Sequence, residues 1–477
     1  MSTLEIINRF IGSSSAKERI AREVFDQLPL WARYRIYYGK AFLYWSALLK
    51  ESEHFGSEKL EALQLHLLKD LLCNAAQNVP YYRKLFVDYG FNPTKLQCLE
   101  DIRVLPYLTK GIVKDNLNDF IATNIPKKEL VTVMTSGSSG IPLTIYHTKE
   151  SKEIGYAFNL HLLDRVGFTP KSKTVVFQWR NIKMGDRGGL RYLRYGNKLI
   201  LSSNHHYSQS EWMAKYYEMI RRFRPEFISG YVTVMLSMAF FIKEQGFTPL
   251  AGIKAVFAHS EAMYPWQRRI IEESFGTRAF PSYGMHEGVL YGGGCEHSNY
   301  FHMFPQKGVI EFIDRGENHQ EIVGTGLNNN AMPFIRYRTM DIGIKKDTTC
   351  DLCNRRYPLL KSIEGRSYDF LVNRRGKLIP AIIDVSSKSF RNVKQFQFYQ
   401  EEPGIVYLKI VRSKLYSDSD TLLLENEMKK EFYVPELEIE IKLLFVEDIQ
   451  CLSSGKTLRT DQRLRINNYA FNVNRVL

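Results

Sequence analysis

The chain lacks a long apolar run. No window offers about 18 consecutive apolar residues, so the sequence gives no candidate for a helix that spans a bilayer. The amino terminus, MSTLEIINRF, also lacks the basic stretch followed by an apolar one that marks a secretory signal. The longest apolar candidate, 232–242, is short and predicts a buried helix. We therefore expect a cytoplasmic protein.

Cysteine is scarce, and nucleic-acid-binding patterns are absent. Six cysteines in 477 residues argue against a disulfide framework in such a chain. There are 65 basic and 51 acidic residues, and the net charge of +14 favours polyanions in general without naming one. Neither a zinc-finger pattern nor basic repeats with interleaved aromatics accompany this charge. We expect no nucleic-acid partner.

The chain has enough apolar material for a large core. Of its residues, 44% are hydrophobic and 24% are charged, as in globular proteins. Its length suggests two to four structural units at about 100–200 residues each. Residues 1–125 are predicted to be mainly helical, because 61–78 repeats leucine at helical spacing and a proline follows at position 80. Short β-rich runs then alternate with helices, which predicts an α/β core over 126–365 and a small α+β unit over 366–477.

One loop in this core is unusually polar and small. VTVMTSGSSGIPLTIYHT, 131–148, places six such residues between two predicted strands: Thr135, Ser136, Gly137, Ser138, Ser139 and Gly140. Their amides and hydroxyls suit a phosphate group, because glycine allows successive N–H groups to point inward. An ordinary hairpin turn explains the same residues. The lysine of the GxxxxGK[ST] phosphate loop is missing.

Further segments make this loop part of a family pattern. TSGSSGIP resembles the phosphate-loop signature of the adenylate-forming enzymes, the superfamily of acyl-CoA synthetases and related ligases. Four more segments resemble that family's motifs in the expected order: SYGMHE (282–287), RYRTMD (336–341), EGRSYD (364–369) and SSGKTLR (453–459). NVPYYRKLF and LPYLTK, near the amino terminus, resemble the branch of phenylacetate–CoA ligase and the CapK-type proteins of polysaccharide loci.

The resemblance implies a fold and a reaction. The expected fold is α/β, with a large N-terminal adenylate-forming domain of mixed sheets and helices and a small, mobile C-terminal α+β domain. A carboxylate would attack the α-phosphate of ATP, and a nucleophile would then displace AMP. The implied partners are a small carboxylic acid and an acceptor, and a homodimer stays open as the oligomeric state.

The resemblance also assigns roles to residues. Lys456 would supply the cation for the first step, and Glu287 would bind Mg²⁺. Asp341 would accept hydrogen bonds from the ribose, and Tyr283 would stack on adenine beside Gly284. Arg366 would contact the nucleotide, and Asp369 would be the hinge. Two positions depart from the family pattern: Met340 replaces a glycine, and His286 replaces a threonine that contacts phosphate, so that its imidazole would be the catalytic group that donates to the same oxygen.

A cysteine group lies between these motifs. Cys350 and Cys353 form a CxxC, and Cys295 lies upstream with His297 and His302. Thiolates with an imidazole suit tetrahedral Zn²⁺, and the position resembles a cysteine-rich insert of CapK-type proteins. We predict a structural site of Cys295, His302, Cys350 and Cys353, with His297 as the competing fourth ligand. Unliganded reduced cysteines are the alternative.

The substrate and the acceptor are the least readable features. The resemblance places the acyl pocket near Tyr231, Ala258, His259 and Ser260. A thiol acceptor, coenzyme A or a carrier pantetheine, would make the chain an acyl-CoA ligase, with polysaccharide biosynthesis as one setting. An amine acceptor, an amino sugar or amino acid, would make it an amide ligase. A zinc-stabilised nucleotide-binding protein without catalysis is the alternative from another class.

Overall fold

The computed structural model describes residues 38–134, 143–178, 192–202, 210–315, 319–366, 370–380, 390, 392–432, 438–450, 460–464 and 470–471. Every statement of structure below concerns these residues. The phosphate-loop segment 135–140, the hinge Asp369 and Lys456 lie outside them.

The described residues that precede the first strand are mainly helical. It comprises α1 (Lys40–Ser52), α2 (Ser57–Asn78), α3 (Pro80–Asp88) and α4 (Lys110–Asp115). Helix α2 buries Leu60, Leu68, Leu71 and Leu72 along one side, which matches the leucine spacing of the sequence. It ends at Asn78 because Pro80 has no amide hydrogen to continue it, and this proline instead opens α3.

A hairpin leads into the α/β core. Strands β1 (Leu130–Met134) and β2 (Thr144–Thr148) are antiparallel and flank the small-residue loop. Helix α5 (Lys149–Asp164) follows β2 directly, and the side chain of Thr148 caps it by accepting from the Ser151 amide.

Twelve described strands then form one sheet. In chain order they are β3 (Thr174–Gln178), β4 (Tyr192–Tyr195), β5 (Lys198–Ser202), β6 (Phe227–Tyr231), β7 (Ala255–His259), β8 (Ala279–Gly284), β9 (Tyr291–Gly294), β10 (Phe301–Met303), β11 (Gly308–Asp314), β12 (Gln320–Gly326), β13 (Tyr337–Lys346) and β14 (Leu359–Arg366). Their spatial order is 11-12-13-14-10-9-8-7-6-3-5-4. The run 8-7-6-3-5 is parallel and the other pairings are antiparallel.

Three helices provide the crossovers of the parallel part: α6 (Ser210–Phe223), α7 (Val232–Glu244) and α8 (Pro265–Phe275). Helix α7 is the apolar segment noted in the sequence, and residues such as Met235, Met238 and Phe240 are fully buried in it. Because the chain repeatedly leaves a strand, forms a helix and returns in parallel, the carboxyl ends of β6, β7 and β8 lie along one edge of the sheet.

The carboxyl-terminal part contains two small sheets. One is formed by β15 (Phe370–Val372), β16 (Lys377–Pro380) and β21 (Ala470–Phe471), and the other by β17 (Val393–Glu402), β18 (Ile405–Arg412), β19 (Glu440–Val446) and β20 (Thr460–Gln462). Helix α9 (Asp418–Phe432) connects β18 to β19. The predicted fold class, α/β with a small C-terminal α+β part, is confirmed. The proposed domain boundaries stay predictions.

This part packs on the large sheet's helices. The Tyr264 ring lies 6.2 Å from the Phe396 ring, and Lys394 pairs with the buried Glu244 at the end of α7 at 3.1 Å. The Lys414 amide also donates to Glu244, at 2.7 Å. Among all the helices described, none combines the length and the apolar character that crossing a membrane requires.

Candidate active site

A cavity of about 910 Å³ opens at the carboxyl edge of the parallel strands. Such an edge is where ligands bind in open α/β sheets, because the loops that follow the strands converge there. The walls come from α5, from the ends of β7 and β8, and from the first half of β13. Segments that are separated by almost 200 residues in the chain therefore share one cavity.

In this cavity, two of the motifs are joined by hydrogen bonds in which a tyrosine of each motif donates to a carboxylate of the other. The Tyr283 hydroxyl, from SYGMHE, donates to Asp341 Oδ2 at 2.8 Å. The Tyr337 hydroxyl, from RYRTMD, donates to Glu287 Oε1 at 3.2 Å. Each motif thus supplies a tyrosine to the carboxylate of the other, which fixes both carboxylates relative to each other. Asp341 and Glu287 are brought together as the motifs require, and their assigned roles stay predictions.

Asp341 is also fixed from its own strand. Its amide donates to Thr339 Oγ1 at 3.1 Å, and that hydroxyl donates to the Ile322 carbonyl at 2.7 Å. Across the β13–β14 ladder, Asp341 is the direct partner of Arg366. The backbones of the two residues predicted to contact the nucleotide therefore lie next to each other, and the Arg366 side chain is not among the parts that the structure describes.

Met340 occupies a strained position. Its φ is +62°, in the left-handed region that glycine adopts freely and other residues rarely adopt. The family pattern has glycine at this place, so the backbone keeps the glycine conformation although the side chain has changed. The strain lies directly beside Asp341 and faces the cavity.

Gly284 is required by close packing. A Cβ built on it would lie 2.7 Å from the Tyr291 ring, closer than real Cβ contacts occur. The family resemblance places this glycine beside adenine, and the packing against Tyr291 is a second reason for a glycine here.

His286 lies at the cavity rim and is exposed. Its carbonyl accepts a hydrogen bond from His147 Nε2 at 3.0 Å, which requires the Nε2–H tautomer of His147. Burial lowers the pKa of His147 to about 4, assisted by the charges of Lys307 and Lys152. His147 is therefore neutral at pH 7 and holds the loop that carries Glu287. No motif in the sequence indicated this residue.

Two segments that carried the family resemblance meet behind this site. The Leu108 amide of LPYLTK donates to the Arg336 carbonyl, and the Arg338 amide donates to the Leu108 carbonyl, both at 2.9 Å. Arg336 also forms an ion pair with Glu311 at 2.7 Å. The Tyr82 hydroxyl, from NVPYYRKLF, accepts a hydrogen bond from the Ile335 amide at 3.0 Å. These contacts explain why such distant segments belong to one pattern: they fix the start of β13.

The predicted acyl-pocket residues divide into two groups. His259 and Ser260 line the cavity, at the end of β7. Tyr231 packs its ring against His259 at 5.5 Å, and Ala258 is buried in the core; neither belongs to the cavity wall. The side chains that line the cavity from α5 and β8, namely Phe158, Leu162 and Phe280, had not been predicted.

The four residues predicted to bind zinc come together. The ligand atoms of Cys295, His302, Cys350 and Cys353 all lie within 4.8 Å of one another. His302 is fully buried, and its Nε2 lies 3.4 Å from Cys353 Sγ. His297 is not in the group: its side chain is 56% exposed, and only its amide approaches Cys295 Sγ.

This group has the donors of a structural zinc site. Three sulfurs and one nitrogen suit tetrahedral Zn²⁺, whose ligand atoms lie roughly 3.8 Å apart at metal–sulfur distances of about 2.3 Å. Burial, assisted by the charges of Arg165 and Arg355, lowers the pKa of His302 to about 3, so the imidazole is in its neutral, ligating form. The residues therefore fit the metal.

A buried charge network connects the cysteine group to the cavity wall. Glu53 Oε1 accepts from Arg165 Nε at 3.0 Å and from Arg355 Nε at 2.7 Å. Arg355 also pairs with Glu296 at 2.5 Å, next to Cys295. Arg165 and Glu296 line the cavity. No sequence pattern indicates this network, because its members lie up to 302 residues apart.

Comparisons with known proteins find relatives that cover most of this chain. The family described as CapK C-terminal domain matches residues 370–460. A phenylacetate–coenzyme A ligase of Pseudomonas putida is 28% identical over 358 residues, which are 71% of this chain and 77% of that protein. Protein CapK of Staphylococcus aureus is 24% identical over 77% of this chain and 79% of its own length.

A solved structure shares the fold. A 2-hydroxyisobutyryl-CoA ligase in the postadenylation state superposes with a TM-score of 0.66 at 18% identity, over 88% of this chain and 93% of that one. The resemblance predicted from the motifs is thus confirmed: over most of its length the chain is similar in sequence to the phenylacetate–coenzyme A ligases and to CapK, and it shares the fold of an acyl-CoA ligase.

Proposed function

We propose that the chain is an ATP-dependent acid–thiol ligase. The carboxylate of an acid attacks the α-phosphorus of ATP, the bond to pyrophosphate breaks, and an acyl-adenylate forms. The thiolate of coenzyme A then attacks the acyl carbon, and AMP leaves. The relatives confirm the predicted class of an AMP-forming ligase. The acid and the acceptor belong to the proposal.

One observation carries this proposal: the reciprocal tyrosine bonds that hold Asp341 and Glu287 in one cavity. A ribose offers two hydroxyl donors to a carboxylate such as Asp341. Mg²⁺ takes carboxylate oxygen ligands, and Glu287 is the described residue that would hold it. The metal would offset negative charge on the phosphates during the first step. Because both carboxylates are fixed before substrate binds, little reorganisation is needed.

The acceptor is proposed as a thiol because the ligase relatives are named for coenzyme A. CapK is a relative whose name states no acceptor, so an amine acceptor is an outcome that the experiment distinguishes. We also propose that the cysteine group holds one structural Zn²⁺, which connects the loops around Cys295 and Cys350 behind the cavity.

The direct test is exchange of labelled pyrophosphate into ATP across a panel of aryl, fatty and amino acids. We expect exchange that depends on one class of acid. Asp341→Asn should weaken ATP binding, whereas Asp347→Asn, at an exposed position outside the cavity, should not. Lys456→Ala should suppress exchange and leave the fold intact.

A second measurement separates the acceptors. AMP release is followed with the active acid in the presence and absence of coenzyme A, and then with amino sugars. AMP release that requires coenzyme A supports the thiol ligase, and release that ignores it counts against this proposal. ATP binding without exchange for any acid would favour the inactive nucleotide-binding protein.

A further inference from the structure

Lys307 places an ammonium group on the cavity wall. It lies in the turn between β10 and β11, and its Nζ is 5.6 Å from the centre of the Phe158 ring on α5. A Cβ built on Gly288, next to Glu287, would lie 4.0 Å from the same Nζ. The group therefore lies between α5 and the loop that follows SYGMHE.

The turn that carries Lys307 is held firmly. Gln64 of α2 donates to the Pro305 carbonyl at 3.0 Å and to the Gly308 carbonyl at 2.9 Å. The Lys307 amide donates to the Phe304 carbonyl, and its own carbonyl accepts from the Leu327 amide, both at 3.0 Å. A rigid backbone positions the start of this side chain, as a binding site requires.

The ammonium has no anionic partner in the part of the chain that the structure describes. Its one specific contact there is the face of Phe158. Burial lowers the pKa of Lys307 to about 8, which reflects the cost of removing water from this cation. Neighbouring His147 is neutral and therefore supplies no negative charge to this ammonium. An anion bound at this place would therefore compensate the charge of Lys307.

The surroundings favour a carboxylate as that anion. Phe158, next to Lys307, lines the cavity together with Leu162 and Phe280, and this apolar surface suits the carbon skeleton of an acid. A single ammonium matches a single carboxylate charge and donates directly to it. Resting on the proposed function, we propose that Lys307 binds the carboxylate of the acid substrate and holds it in the cavity before adenylation.

Kinetics of three variants test this assignment. Lys307→Met removes the charge at similar length, Lys307→Arg keeps the charge, and Lys84→Met is a control on the exposed side of α3. A charge-assisted hydrogen bond is worth about 1.5–3 kcal/mol, so Lys307→Met should raise KM for the acid about 10–150-fold. KM for ATP should change little, Lys307→Arg should retain most of the affinity, and Lys84→Met should behave as wild type. An unchanged KM for the acid, or equal rises for acid and ATP, would overturn the assignment.

A binding experiment keeps this inference separate from the proposed activity. Lysines are reductively methylated with ¹³C, and the Lys307 resonance is assigned by its loss in Lys307→Met. Millimolar phenylacetate, hexanoate and pyrophosphate are then added in turn. A saturable shift of this resonance with a carboxylate supports the assignment even if no acid supports exchange. A shift with pyrophosphate alone, or with none of the three, refutes it while leaving the ligase proposal to its own test.

Discussion

The buried Glu53 gives the sharpest stability prediction. Its carboxylate is 13% exposed and lies between Arg165 and Arg355, whose side chains are only 3% and 6% exposed. Glu53→Gln would leave these two guanidinium groups close together, with Glu296 as the described carboxylate that still pairs with Arg355. Breaking a buried ion pair by removing one partner costs about 3–5 kcal/mol.

This cost converts into a measurable shift in melting temperature. At about 2.1 cal/mol/K per residue, 477 residues give an unfolding entropy of about 1 kcal/mol/K, so Tm should fall by about 3–5 °C. Scanning calorimetry measures this fall in Tm. Glu51→Gln is the matched control, because Glu51 is an exposed neighbour on α1 and should change stability by less than about 0.5 kcal/mol.

The same residue predicts a pH dependence. Burial raises the pKa of Glu53, but His161, whose Nε2 lies 3.4 Å from Glu53 Oε1, and the charges of Arg165 and Arg355 outweigh this and hold the pKa below its ordinary range. A lowered pKa means that the stabilisation is complete above the unfolded value of about 4.3 and is lost as the pH falls through the folded value. The difference in Tm between wild type and Glu53→Gln should therefore be full at pH 7 and narrow below about pH 4. A Glu53→Gln variant as stable as Glu51→Gln at pH 7 would refute this reasoning.

Three further predictions concern the metal group, the strained backbone and the domain contact. Metal analysis of the purified protein should find about one zinc per chain. Cys350→Ser should lose this zinc and show a lower melting temperature in calorimetry. Cys73→Ser, outside the cysteine group, should keep the zinc. Met340→Val should lower the free energy of unfolding in urea by about 1–2 kcal/mol, because a β-branched side chain disfavours φ near +62°. Met340→Gly should leave this free energy nearly unchanged. Equal effects of the two substitutions would contradict backbone strain at this position. Glu244→Gln should lower the free energy of unfolding by about 1–3 kcal/mol and make the carboxyl-terminal part more sensitive to limited proteolysis, since Lys394 loses its partner. A cleavage rate equal to that of the wild type would argue against this contact.

Much of the fold could be predicted from local patterns. Strand β11, helix α8 and strand β18 follow local sequence signals, namely alternation, an N-terminal proline and β-branched residues, because such signals act over short distances. Strands β13 and β14 had been noted as motifs and not as strands. Their residues are mostly polar or charged, and the interior of a twelve-stranded sheet makes such a sequence extended by long-range pairing.

The site was predictable only where a motif named its residues. Asp341 and Glu287 were found because their motifs are recognisable, and the cysteine group was found because of its spacing and its place between the motifs. Lys307 and the Glu53 network carry no such pattern. The roles of these residues depend on their burial and on contacts with residues far away in the chain, and only the folded structure brings these residues together.

The account rests on the claim that Asp341 and Glu287 share one ATP-binding cavity. A crystal structure of the protein with ATP and Mg²⁺ bound measures this directly. We predict ribose hydroxyls within hydrogen-bond distance of Asp341, the metal on Glu287, and phosphates reaching the segment 135–140. A nucleotide bound outside this cavity, with Asp341 and segment 135–140 too far apart to contact one molecule, would contradict the account.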